Sequence, residues 1–76
     1  MRQADKLIRM ANQIALNMAS QGEARAPALV ADHIRRFWDP RMKAGILAYA
    51  AEDGSALSPI ARAAVTEIAR PAAQGG

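Results

Sequence analysis

The chain has no cysteine, which removes disulfides, thiolate-held zinc and iron–sulfur ligation at once. It has a single histidine, His33, among seven dispersed carboxylates, too few ligands in too loose a pattern for a structural zinc site. Aromatic residues are equally scarce, with one Phe, one Trp and one Tyr in 76 residues. No stretch approaches the roughly 18 consecutive apolar residues of a membrane-spanning helix. Met1-Arg2-Gln3-Ala4-Asp5 lacks the apolar run of a secretory leader, so the chain reads as cytoplasmic. Gly22, Gly45 and Gly54 stand singly before the terminal pair, so neither common phosphate-cradling glycine loop is present. His33 has no Ser or paired carboxylate placed beside it, and no nucleophile–base–orienter set can be assembled. Catalysis by this chain alone is not expected, and neither a metal nor a cofactor is expected on it.

What remains is a basic, alanine-rich helix former. Hydrophobic residues make up 51% of the chain, and the net charge is +3 with a pI near 10.2, which favours an acidic partner surface without demanding nucleic acid. A chain near this size buries only about 60% of the surface its unfolded form exposes. Domains below roughly 70–80 residues seldom draw more than about 3–5 kcal/mol from one core and lean on disulfides, a metal or a partner. With the first two excluded, a partner is expected.

The apolar pattern predicts an all-α fold, a small bundle of three to four short helices joined by tight Asp-Pro, Ser-Pro and Gly turns. One helical domain should span 1–70, with a mobile tail over 71–76. In residues 4–20, Leu7, Ala11, Ile14 and Met18 form one stripe, widened by Ile8, Met10 and Ala15. Lys6, Arg9, Asn12, Gln13 and Asn17 take the opposite arc, and Gly22 is placed to end the helix. Pro27 suits the first turn of a second helix running to about Trp38, with Val30, Ile34 and Phe37 as its seam and Asp32–Arg36 as a surface ion pair. Asp39 caps and Pro40 opens a third helix, bending the chain at Asp39. That helix holds Ala44–Ala51, eight residues with only the Tyr49 hydroxyl as a polar side-chain group. Glu52-Asp53-Gly54-Ser55 closes it, Ser58-Pro59 starts a fourth helix with Ile60, Ala64 and Ile68 on its apolar side, and Pro71 stops that one.

Candidate binding residues gather at the second corner. Trp38, next to Phe37 and flanked by Arg41 and Met42, has the make-up of an interface anchor, or else both aromatics form the miniature core. Arg35, Arg36, Arg41 and Lys43 straddle the bend and suit carboxylates or phosphates, or are a solvated basic face. The apolar third helix, with Gly45, Leu47 and Tyr49, suggests docking against a larger protein on a second side, or simply alanine as neutral helix filler. His33 reads as a packing residue beside the seam. The expected partner interface is therefore Arg35, Arg36, Trp38, Arg41, Met42, Gly45, Leu47 and Tyr49. Two helices at a sharp turn superficially suggest a small nucleic-acid binder, but an apolar recognition helix has nothing with which to read base edges.

His33-Ile34-Arg35-Arg36-Phe37-Trp38-Asp39-Pro40-Arg41-Met42, taken with Lys6–Ala15 and Leu57-Ser58-Pro59-Ile60, resembles the delta subunit of soluble, NAD-dependent, molybdenum-containing formate dehydrogenases. The resemblance covers roughly residues 5–68. It implies a small cytoplasmic accessory subunit of a complex that oxidises formate to carbon dioxide and reduces NAD⁺. The large catalytic (alpha) subunit of such a complex carries a bis-molybdopterin guanine dinucleotide, with molybdenum or tungsten, and iron–sulfur clusters. Further subunits carry FMN and the NAD site. The role implied for this chain is to brace the large subunit, with a second role open to it in helping that subunit receive or retain the pterin cofactor. The charge of Arg35, Arg36 and Arg41 would suit contact with the guanine-dinucleotide phosphates in that second role. The alternative is a free-standing maturation or binding factor that visits the complex transiently.

Overall fold

A computed structural model describes residues 3–70, and among them there are four helices and no strand: α1 (Gln3–Ala19), α2 (Ala26–Phe37), α3 (Pro40–Glu52) and α4 (Pro59–Ala69). The expected tail 71–76 and the Pro71 stop lie outside the described residues. Each helix boundary has a local chemical cause. α1 ends where the N–H groups of Gln21 and Gly22 bond back to the carbonyls of Met18 and Ala19, with Gly22 at φ +109, a conformation that glycine adopts without a Cβ penalty. α2, α3 and α4 each carry proline in the first turn, where the missing N–H has no intrahelical acceptor to lose. Asp39 and Ser58 cap the last two, accepting from the N–H of Met42 at 2.9 Å and of Ala61 at 3.3 Å.

The core is assembled from all four helices: Leu7, Ile8, Ala11 and Ala15 of α1, Val30, Ala31 and Ile34 of α2, Ile46 and Tyr49 of α3, and Ala61, Ala64 and Val65 of α4, joined by Trp38 and Leu57 from the connections. Alanine lines much of it, so the helices approach closely over small side chains and little apolar volume is enclosed. α2 packs most extensively on α4, while α1 touches all three other helices. α2 and α3 make few contacts with one another, because the Asp39-Pro40 bend turns α3 away onto α1 and α4.

Asn12 is a departure from the expected polar arc of α1. Its side-chain N–H donates to the Ala56 carbonyl at 2.9 Å and its oxygen accepts from the Ser58 N–H at 2.8 Å. One amide thus clasps the α3–α4 connection to α1. The Tyr49 hydroxyl accepts from the Ala56 N–H at 2.9 Å, and Arg62 donates to the Gly54 carbonyl at 2.8 Å, so the same connection is held from three helices. In α1 the burial centres on Leu7, Ile8, Ala11 and Ala15, while Ile14 and Met18 are only partly covered. In α4 it centres on Ala61, Ala64 and Val65, with Ile60 and Ile68 at its margins.

Candidate interaction surface

At the α2–α3 corner the two adjacent aromatics take the opposite of their expected places. Trp38 lies 5% exposed in the core, whereas Phe37 is 71% exposed. The cause is helical spacing: Val30, Ile34 and Trp38 recur every four residues, so the buried row continues through Trp38, and Phe37 falls a residue to one side. Trp38 itself has left the helix, at φ −87 and ψ 137, which lets the chain turn into Asp39 while the indole stays over the core. Phe37 points to solvent with the His33 ring against it, centroids 4.8 Å apart and tilted by 43°. A phenyl ring held out in water forgoes about 1.5–3 kcal/mol of burial free energy, which a partner surface can recover.

Other expected contact residues are engaged within the chain. Tyr49 is buried and its hydroxyl serves the α3–α4 connection. Gly45 faces α1, where a Cβ would stand 2.7 Å from Leu7 Cδ1. What comes close to this glycine is thus a side chain of the same protein. Leu47 and Met42 are partly buried against the core. Helix α3 buries Ile46 and Tyr49 on one side and leaves Ala44, Ala48 and Ala51 exposed on the other, so within this chain only one of its faces is covered.

The arginines do not converge. Arg35 is turned towards α4, donating to the Glu67 carbonyl at 3.3 Å with the Glu67 carboxylate at 4.0 Å. Arg36 pairs with Asp32 as expected, at 3.1 Å, both side chains more than half exposed. Arg41 borders α1, lining a groove with Ala4, Lys6, Leu7, Met10, Asp39, Met42 and Gly45. Residues aimed in three directions form no common cradle for a pyrophosphate, and the structure supplies no fit for a nucleotide cofactor on this cluster. Among the described residues no group of three or more His, Asp or Glu gathers to hold a metal ion.

The surface that does assemble lies between α1 and the corner, and much of it escaped the sequence reading. Beside the groove lined by Arg41 runs a second, lined by Arg9, Met10, Gln13, Ile14, His33 and Trp38, with Met10 common to both. Lys6, Arg9, Met10 and Ile14 read as ordinary members of an amphipathic helix. The signal that could have set them apart is that α1 carries more apolar residues than one packed face needs, with Met10 and Ile14 on the flank of the stripe.

Fold and surface together describe a small all-α protein, with one hydrophobic core among the described residues and an exposed aromatic beside grooves that carry basic side chains. Residues 6–65 match the family described as NADH-dependent formate dehydrogenase delta subunit FdsD. The chain belongs to that family, and so is a delta subunit of an NAD-dependent formate dehydrogenase complex. No curated protein and no solved structure matches it.

Proposed function

We propose that this chain is a non-catalytic subunit that docks on the large catalytic (alpha) subunit of its formate dehydrogenase complex and stabilises that subunit's assembled form in the cytoplasm. The observation that carries the reading is Phe37, 71% exposed over His33 at the end of α2, in a chain whose family is defined by membership of a complex. Aromatic residues in such settings anchor interfaces by filling a pocket on the partner. The chemistry of formate oxidation and NAD⁺ reduction belongs to the partner subunits, with their molybdenum or tungsten pterin, iron–sulfur clusters, FMN and NAD site. Any contribution to receiving or retaining the pterin acts through the conformation of the catalytic subunit, because the arginines here point apart.

The test is co-expression of the tagged chain with the other subunits of its complex, followed by size exclusion and mass spectrometry. Stoichiometric co-elution with the catalytic subunit is expected, together with loss of that co-elution for Phe37→Asp. Elution of the wild-type chain by itself as a folded small species would overturn the reading and favour a transient factor.

A further inference from the structure

The two grooves share Met10 and follow one another along α1, so that their linings together mark a track from Ala4 to Ile14. At 1.5 Å of rise per residue this is about 15 Å, or close to three helical turns. Its floor is apolar and adaptable: Leu7, Met10 and Ile14 from α1 face Met42 and the Trp38 edge from the corner. Methionine suits such a floor because its unbranched thioether re-packs around a ligand at little cost. The rim is charged with one predominant sign, Lys6, Arg9 and Arg41 against Asp39 alone. One Asp39 oxygen already accepts the Met42 N–H, and among the described residues none of the three cations is ion-paired. The walls are helices, whose backbone groups bond internally and offer an extended chain no ladder to join. A helix, which satisfies its own main chain, is the occupant that asks nothing of these walls beyond side-chain contact.

We propose that this track seats an acidic, amphipathic helical segment of the catalytic subunit. Its apolar residues lie on Leu7, Met10, Ile14 and Met42, its carboxylates reach Lys6, Arg9 and Arg41, and Phe37 anchors beside one end. The inference rests on the docking reading above and adds where the contact runs and what chemistry it selects. Complementary charges along the rim select against basic or neutral segments of the same shape.

The experiment uses the co-expressed complex with two charge-matched variants. Arg9→Glu with Arg41→Glu reverses the rim at exposed positions, and Arg25→Glu with Arg70→Glu makes the same charge change away from the track. Circular dichroism checks that both retain the helical fold. The rim variant is expected to weaken capture of the catalytic subunit by about tenfold or more, the size of a lost close charge pair, while the control binds as wild type. Equal losses for both would make the effect one of net charge and overturn the track. No loss for either would also overturn it while leaving the docking reading intact. Failure of the wild-type chain to bind the catalytic subunit would instead defeat the docking reading itself. A photo-crosslinking residue at Gln13, an exposed position lining the track, supplies an independent readout. It should capture a segment of the catalytic subunit with Asp or Glu at helical spacing. Capture of a second copy of this chain, or of a basic segment, would overturn the proposal.

Discussion

Replacing Trp38 by alanine removes the largest side chain of the core, a change that costs about 3–5 kcal/mol when an aromatic is buried. A core of this size supplies about the same amount in total, so Trp38→Ala is expected to abolish cooperative unfolding of the isolated chain by circular dichroism. Phe37→Ala, one residue earlier, should shift stability by no more than about 0.5 kcal/mol because its ring is already in solvent. A lost complex would thus mean different things in the two variants: an unfolded subunit for Trp38, a missing anchor for Phe37. Asn12→Ala removes two hydrogen bonds between α1 and the α3–α4 connection. At about 0.5–1.5 kcal/mol per bond, a urea-unfolding loss of about 1–3 kcal/mol is expected, and a shift within error would show that the connection is held by Tyr49 and Arg62 alone. Asn12 was legible as polar and nothing more, since an amide on a helix gives no local sign of a distant loop that will meet both its donor and its acceptor.

At the scale of the element, the helix starts were the most legible part of the fold. Asp39-Pro40 and Ser58-Pro59 are local signals whose partners lie within three residues, and both caps form as expected. Asp39→Ala and Ser58→Ala should each cost about 1 kcal/mol in thermal unfolding. The Asp32–Arg36 pair is local too, but with both side chains well exposed its contribution stays near 0.3–0.5 kcal/mol. Helix α3 was harder to read. Its lack of charge suggested cover on two sides, and the structure covers one, with Ala44, Ala48 and Ala51 outside. Ala48→Glu separates the readings. If the alanine face is solvated filler, both stability and complex formation should survive this change, whereas loss of the complex with an intact fold would make α3 a second docking face. Gly45→Ala gains about 1 kcal/mol of helix propensity, and with its Cβ 2.7 Å from Leu7 Cδ1 the end of that side chain must swing away. Because Leu7 lines an open groove it can give way, and the net change should stay within about 1 kcal/mol.

For the whole molecule, an alanine-lined core in a chain with no cysteine to cross-link it leaves stability low, and association is a way to raise it. A partner that binds only the folded chain adds about 2.7 kcal/mol when present at a hundred times Kd. Thermal unfolding of the chain within the complex should accordingly lie well above that of the chain alone, and equal midpoints would argue against a stabilising interface.

Composition and spacing determined what concerns neighbours in sequence: a chain without thiol chemistry, four helices, their proline starts and caps, and the family likeness in His33–Met42. Those features depend on backbone hydrogen bonding and side chains a few residues apart, which periodicity records directly. The tertiary structure decided which aromatic is buried, that Gly45 answers to Leu7, that Asn12 clasps a loop more than forty residues away, and that the arginines diverge. These outcomes turn on helix rotations of a fraction of a turn and on the direction taken at the Asp39 bend, quantities fixed only when all four helices compete for the same small core.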